Sequence, residues 1–585
     1  MQLFFYNSTN TKKGPWLYLG TSAKNRQKLA DQYAWENEFS QGQLFHQVTE
    51  QMRQPFLNFI GDFGAHQKNI LGWWSTSLSW KEGSSDLFLQ VCYLKFIDDI
   101  VKKFPKDQLS IFIEDPWLYN QTKRLYGPYL APDNVAWPLY LLRFRQVLLG
   151  VLKRSRWAFR TLKNFCLQKK YWGSNPFPAS QKGVGLYSLA QSRCLTSGHD
   201  WIDPYLGPLN EILAQEKDLR VFRFTPPGNN GFEQEIGRRK YYFWPMILNF
   251  SLKNFFISLR AHWRPTKGSP KDIQGLSIDQ LLLREWWSDI GYATWCQARF
   301  TYECTDLMLK SGRVKLLIFP YENQPWEKLT VIAAKKNKVA VLGYQHATVP
   351  KFQLSYFLGA NESSLMPLPN FILTCGLYQK DILEAGGTPS SRLVLGGSLR
   401  YSDLLKKSEQ FVSGETPSLK KVVVVLSLFP NYAYALLATL KRFFPDGGAS
   451  AGLEFTLKPH PVYYHSKEEL QKIFPAPIFT GTFDEVIKTH GTVLFQESTA
   501  GFEAWLMGRN TLHYRPDFLV DFNGCDYLDE TRVPICSDHG LGEKILESME
   551  TFKNRNRDGG QQFCENQFGQ VNSDLWKQLA RQFIQ

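Results

Sequence analysis

At 585 residues with a formal net charge of +14, the chain exceeds the length at which one core keeps growing, so two or more domains are expected. With 43% hydrophobic and 21% charged residues it has the composition of a globular protein. Nine cysteines without a CxxC pair or regular spacing argue against both a disulfide framework and a zinc site. The opening MQLFFYNSTNTKKGPWLYLG has no basic stretch ahead of an apolar one, and no window approaches about 18 uninterrupted apolar residues. Neither a signal peptide nor a spanning helix is expected, and the expected location is the cytoplasm or the inner face of the cytoplasmic membrane. Aromatics reach 15%, which suits sugar-stacking surfaces as well as cores.

In chain order, LFFYNS and WLYLG read together as a short strand, and a polar helical stretch runs through TSAKNRQKLADQYAWENEF. Helical patterns continue to LSIFIED, a strand that ends on Glu114 and Asp115. Between Asp133 and Asp200 no acidic residue occurs, while Arg143, Arg145, Lys153, Arg154, Arg156, Arg160 and Lys163 alternate with Leu, Val, Phe and Trp. This is a basic amphipathic helix pattern, which fits either an anionic membrane surface or a solvated face packed on its own domain. Nucleic acid is not the expected partner, because no helix-turn-helix, zinc or RNA-binding signature accompanies the charge.

GVGLYSLA and LRVFRFTP resume the strands. Alternation then becomes regular, with strands VKLLIFPYE, VAVLGYQHA, FILTCG and RLVLGG separated by helical patterns. The polar, Gly- and Pro-containing stretch after Arg400-Tyr401 reads as a linker. KVVVVLSLF opens a second unit, continued by LEFTLKPH, PIFTG, TVLFQES and NTLHYR, and helical patterns close the chain. Apolar, β-branched strands alternating with helices predict parallel sheets covered on both faces. The expectation is α/β: two Rossmann-like doubly wound domains facing a cleft. The first spans 1–402 with a basic helical insertion near 135–180, the linker 403–419, and the second 420–585, its last helix a candidate to cross back.

Six segments carry a resemblance: GWWSTSLSWKEGSS, FPYENQPWEKL, VLGYQHATVP, LGGSLRY, LKPHP and ESTAGFEAWLMGRN. Through them the chain resembles bacterial surface-carbohydrate biosynthesis glycosyltransferases of GT-B architecture, and its His-Pro and Ser-Thr motifs are similar to those of bacterial sialyltransferases. The resemblance implies that His460 contacts the donor phosphate beside the leaving oxygen. Chemically, a positioned imidazole can donate a hydrogen bond or a proton to a departing phosphate. Pro461 biases His460 away from helix, and Lys458 lies on the same strand face. Ser498 and Thr499, with Gly501 in the same turn, sit where a strand hands over to a helix, a position that serves equally as an anion site or an ordinary N-cap. The resemblance further implies that Glu503 holds the ribose hydroxyls; a solvated helix face is the alternative.

An inverting transfer needs a carboxylate across the cleft to take the acceptor proton. Glu322, at the end of KLLIFPY, is favoured. Glu114 and Asp115 are the alternative, reminiscent of the acid-rich sialyltransferase motif, except that Pro116 replaces the glycine expected there. Gln345 and His346 are placed to reach acceptor or sugar. Trp73 and Trp74 are candidates for the acceptor groove or for the core. No GxSxG elbow, Walker A segment or strand-end DxD pair is present, so no metal or cofactor is expected. The resemblance implies a CMP-activated nonulosonic acid (sialic, legionaminic, pseudaminic or Kdo-like) passed to a glycan or lipid-linked glycan of a surface polysaccharide or lipopolysaccharide. A transferase for a nucleoside diphosphate sugar or CDP-polyol and a non-catalytic GT-B-like assembly protein are the alternatives.

Overall fold

A computed structural model of the protein describes residues 2–5, 14–40, 42–81, 85–103, 109–127, 131–132, 139–172, 182–188, 203–227, 244–401, 404–412, 417–460, 466–528, 530–552 and 560–584. Pro461, Cys194, positions 403 and 413–416 of the predicted linker and the flanks 135–138 and 173–180 of the basic insertion lie outside them. Strands β1 (Gln2–Phe5), β2 (Trp16–Leu19), β3 (Ser110–Ile113) and β4 (Ala131–Pro132) pair in parallel in the order β2-β3-β1-β4. Alternate residues point to opposite faces, so Leu3, Leu17 and Ile111 enter the main core while Trp16, Tyr18 and Phe112 build a smaller one behind the sheet. The segment ahead of the acid-free block therefore adds a third sheet of its own to the two expected.

Strands β5 (Gly183–Tyr187), β6 (Arg220–Thr225) and β7 (Trp244–Pro245) are followed by a small antiparallel hairpin, β8 (Asp272–Ile273) with β9 (Leu276–Ser277). Strands β10 (Val314–Pro320), β11 (Ala340–Gln345), β12 (Phe371–Thr374) and β13 (Leu393–Leu395) complete a parallel seven-stranded sheet in the order β13-β12-β11-β10-β5-β6-β7. Its central strands are apolar and buried throughout, as a sheet with helices on both faces requires. The direction of strand addition reverses between β5 and β10.

Strands β14 (Lys421–Val425), β15 (Glu454–Lys458), β16 (Thr492–Phe495), β17 (Asn510–Tyr514) and β18 (Ile535–Cys536) form a second parallel sheet, ordered β15-β14-β16-β17-β18. Here the reversal falls between β14 and β16. The predicted strand PIFTG is reduced to one bridge, Leu457 to Ile478, because Pro475 and Pro477 have no N–H to give a ladder. Part of the predicted linker is helical, over Leu404–Val412. The closing helix Ser573–Ile584 returns to the seven-stranded sheet, where buried Trp576 donates its Nε1–H to the Gly396 carbonyl at 3.1 Å. The described part of the acid-free block holds the helix Leu139–Trp172. It packs along the helix Asp279–Tyr292, with Gly150 against the Ile290 carbonyl, where a Cβ would sit 2.5 Å away. Among the described residues no helix is long and apolar enough to cross a membrane.

Trp73 and Trp74 belong to the main core, with 1% and 2% exposure, so neither presents a face to an acceptor groove. Trp73 packs on Phe63 and Trp263 with ring centroids 5.6 and 5.8 Å away, and Gly64 makes room for its indole. The buried Lys328 ammonium lies 5.2 Å from the Trp74 ring. Removing a fully enclosed indole leaves a cavity, so Trp73→Ala should lose about 3–5 kcal/mol of stability in denaturant melts. A loss below about 1 kcal/mol, as for an exposed side chain, would return Trp73 to a surface role.

Candidate functional site

In open parallel sheets, ligands bind outside the carboxyl ends of the strands where the order reverses. In the five-stranded sheet that point gathers Ser427 after β14 and Glu497-Ser498 after β16. Glu497 adopts φ +35°, a left-handed conformation that costs a non-glycine residue about 1–3 kcal/mol. Its carboxyl accepts a short hydrogen bond from the Ser427 hydroxyl. The other oxygen, Oε1, is enclosed and has no hydrogen-bond partner among the described residues. Burial first, then the negative charge of Asp521 against the opposing Ser427 bond, pushes the Glu497 pKa up to about 8.

Ser498 caps the helix Thr499–Leu506, its hydroxyl accepting from the Ala500 N–H at 3.2 Å. The Thr499 hydroxyl lies 3.1 Å from the Tyr401 hydroxyl, so a side chain arriving from the seven-stranded half touches this helix terminus. Gly501 faces inward: a Cβ there would fall 2.3 Å from the Phe495 ring, and its N–H already donates to the Ser498 carbonyl at 3.1 Å. It seats the helix on β16, where only glycine fits, and gives no free N–H to a ligand. Glu503 lies one turn in, where burial, only partly offset by the Arg400 charge, lifts its pKa to about 7.

Lys458 ends β15 and His460 follows it, both half-buried. Burial lowers the Lys458 pKa. Because β15, β14 and β16 are consecutive, the exits bearing His460, Ser427 and Ser498 share one edge, its ends about 10 Å apart at ~4.8 Å per strand.

At the reversal of the seven-stranded sheet, Glu322 leaves β10. Its turn is shaped by buried Glu327, which accepts the Glu322 N–H at 2.9 Å and the Asn323 N–H at 2.7 Å, with Asn323 at φ +57°. One Glu322 oxygen lies 3.3 Å from His346 Nε2, and the other accepts a short hydrogen bond from the Gln324 amide. Burial pulls the Glu322 pKa upward, but the His346 bond and charge together with Gln324 outweigh it and hold it below the ordinary value. His346 is 4% exposed, its ring lies tilted against Tyr205 with centroids 4.7 Å apart, and its Nδ1 has no partner among the described residues. The site thus holds an ionised carboxylate beside an imidazole, a pair able to accept and pass a proton.

Other predicted residues have different tasks. Glu114 accepts from the Thr21 and Ser22 N–H groups at 2.7 and 3.1 Å and from the Asn25 amide at 2.9 Å. Asp115 caps the helix Pro116–Tyr126 and binds Arg284 Nε at 2.6 Å. Both acids sit at the exit of β3 in the four-stranded sheet, Asp115 at a helix start. Gln345 is fully buried, donating to the Ala347 carbonyl and accepting from the Cys375 N–H at 3.4 Å; it shapes the turn that carries His346.

The two halves meet at these edges. A Cβ on Gly524 would lie 3.1 Å from Thr348 Oγ1, two residues beyond His346, and 3.7 Å from the Ser498 carbonyl. The Lys351 N–H donates to Asp526 at 3.0 Å. Beside this seam a cavity of about 540 Å³ is lined by Arg53, Lys351, Tyr378, Arg515, Asp521 and Asp526 among others. Two doubly wound parallel sheets joined in this way across their carboxyl edges constitute the GT-B architecture. Among the described residues no three His, Cys, Asp or Glu side chains gather as metal ligands.

No protein-family model and no curated protein matches the chain. Several solved structures do. A UDP-GlcNAc 2-epimerase from Methanocaldococcus jannaschii is 11% identical, covering 69% of this chain and 99% of its own, with a TM-score of 0.38. The Neisseria meningitidis UDP-GlcNAc 2-epimerase bound to UDP-GlcNAc is 9% identical over 68% of this chain and 99% of its own, at 0.38. Arabidopsis thaliana UGT89C1 is 12% identical over 69% and 100%, at 0.41.

Sequence reasoning passed over Glu497, Ser427 and Tyr401. Glu497 directly precedes Ser498 in the quoted motif, and its position immediately after an apolar strand was the available signal. Because the folded pKa of Glu497 is raised to about 8 from an ordinary 4.5, the native state keeps a proton that the unfolded chain loses. Its contribution is therefore full below about pH 4.5 and disappears as pH rises through about 8. Glu497→Gln should flatten that fall: thermal melts between pH 5 and 8.5 should show the variant gaining on the parent as pH rises. Parallel curves would mean that Glu497 is ionised throughout.

Proposed function

We propose that the protein is an inverting glycosyltransferase of bacterial surface-polysaccharide or lipopolysaccharide synthesis, using a CMP-activated nonulosonic acid and a glycan or lipid-linked glycan acceptor. The observation that carries this reading is the opposition of two strand-order reversals, one with Glu322 beside His346 and the other with the Ser498-Thr499 helix terminus. In the proposed step, Glu322 accepts the proton of the acceptor hydroxyl while that oxygen forms a bond to the anomeric carbon on the face opposite the phosphate. The bond from anomeric carbon to phosphate oxygen breaks, and its electron pair leaves with CMP. Lys458, His460 and the Ser498-Thr499 hydroxyls stabilise the charge that develops there, helped by the positive end of the helix dipole. Glu503, one turn along, takes the ribose hydroxyls. His346 positions Glu322 and keeps it charged. The choice of a monophosphate leaving group rests on the His-Pro and Ser-Thr resemblance.

Glu322→Gln should lower kcat by about 10²- to 10⁴-fold, the usual share of a general base, with CMP affinity unchanged in calorimetry. Near-normal turnover would transfer the base to Glu114 or Asp115. His460→Ala should lower turnover and weaken CMP binding together. A thermal-shift and turnover screen over CMP-, UDP-, GDP- and CDP-linked donors tests the nucleotide class. Transfer from a nucleoside diphosphate sugar or CDP-polyol, with none from any CMP-sugar, would replace the donor assignment. Binding without turnover of any donor, and unchanged cellular polymer in His460→Ala, would point to the non-catalytic assembly role.

A further inference from the structure

The helix Leu139–Trp172 is 34 residues long, about 50 Å at 1.5 Å per residue, and among the described residues one side of it packs on the fold. Its inner side meets the helix Asp279–Tyr292, and Trp157 stacks on Phe255 at 5.5 Å. On the outer side Tyr140, Phe144, Leu148, Leu152, Phe159 and Leu162 are all exposed, Phe144 and Phe159 by 68% and 69%. At about 100° per residue these six fall within an arc of about 120°. Exposed Arg145, Arg156, Arg160 and Lys163 follow in about the next 80° along the same edge. The neighbouring helix Leu252–Leu259, tied to this one by the Arg154 bond to the Leu259 carbonyl at 3.1 Å, also exposes Leu252, Phe256 and Ile257. Solvent-facing apolar stripes of this size mark an interaction surface.

We propose that this two-helix face docks the protein on an anionic lipid bilayer, with the apolar stripe sunk to the level of the acyl chains and the basic edge against lipid phosphates. An interfacial helix lies in the plane of the membrane, and its binding grows with buried apolar area and with attraction to anionic lipid. The helix carries nine Lys and Arg and not one Asp or Glu. A second copy is a poor occupant, because a twofold contact sets the same patch against itself and would oppose two acid-free basic edges. Nucleic acid would use the basic edge and leave the apolar stripe in water. The proposal stands on this face alone and does not depend on the glycosyl-transfer reading.

The test is co-sedimentation of the full chain with phosphatidylglycerol–phosphatidylethanolamine vesicles and with phosphatidylcholine vesicles. The parent protein should partition to the anionic vesicles. The combined change Phe144→Ser, Leu148→Ser and Phe159→Ser should lower partitioning at least tenfold with an unaltered thermal melt. The change Arg145→Glu, Arg156→Glu and Arg160→Glu should lower it too. Part of the parent's binding should survive 0.5 M salt, which screens charge but not apolar insertion. Cys166 is exposed on the same stripe and the other described cysteines are buried, so an environment-sensitive dye on Cys166, in a Cys194→Ser background, should shift to the blue on anionic vesicles. That readout uses the intact stripe and remains decisive if the triple serine variant does not fold. Absence of vesicle binding, binding indifferent to the serine changes, or a dye that stays water-exposed would each overturn the proposal. So would self-association of the parent, abolished by the serine changes, without vesicle binding.

Discussion

Parallel pairing throughout the two large sheets obliges every strand to leave its sheet at the same edge, and the rest of the structure depends on that constraint. Ladder hydrogen bonds satisfy the backbone inside each sheet, and the uncovered polar groups collect where the strands stop. One reversal of strand order in each sheet opens a gap along that edge, between β5 and β10 in one and between β14 and β16 in the other. Two residues at those gaps leave the ordinary backbone regions. Glu497 takes φ +35° and Asn323 φ +57°, and each is held there by neighbouring side chains, Ser427 and Glu327 respectively.

The two gaps give carboxyl groups opposite characters. Glu322 is kept ionised because an imidazole and an amide meet both of its oxygens, which outweighs burial. For Glu497 and Glu503 burial outweighs their hydrogen bonds and raises them to about 8 and about 7. Separation of this kind, one acid poised to accept a proton and others retaining theirs, is how a single cleft divides base and donor tasks. Glu322 is on the seven-stranded side and the Ser498-Thr499 helix terminus on the other, so in the proposed reaction the base and the departing phosphate need not crowd one another.

Holding the two gaps opposite each other falls to contacts outside both large sheets. Tyr401 reaches Thr499, and Lys351 meets Asp526. The unit carrying the four-stranded sheet adds a buried ion cluster, in which Arg26 binds Glu38 at 2.7 Å and Asp538 at 2.5 Å. Desolvating such charges is costly, so its contribution lies more in fixing orientation than in net stability. Tyr93 reinforces it by donating to the Phe518 carbonyl at 2.7 Å. The closing helix, returning to the seven-stranded sheet through Trp576, ties the two halves a second time.

What the sequence determined by itself is the part governed by local periodicity. Apolar β-branched runs such as VKLLIFP and KVVVV gave parallel strands, and polar residues directly after them marked Glu322, His346, His460, Ser498 and Thr499 as strand-end groups. The acid-free block announced its long helix and its charge. Tertiary structure decided everything that depends on what packs against a residue. Trp73 and Trp74 are core because Phe63, Trp263 and Lys328 enclose them; Glu114 meets the N–H groups of a helix start and Asp115 meets Arg284; Gly501 is a packing residue because Phe495 lies under it. The third sheet, the protonated state of Glu497 and the pairing of His346 with Glu322 likewise join positions far apart in the chain, or rest on burial. Periodicity records which face of an element is apolar, whereas burial, pairing and proton affinity are set by neighbours that arrive from elsewhere in the chain.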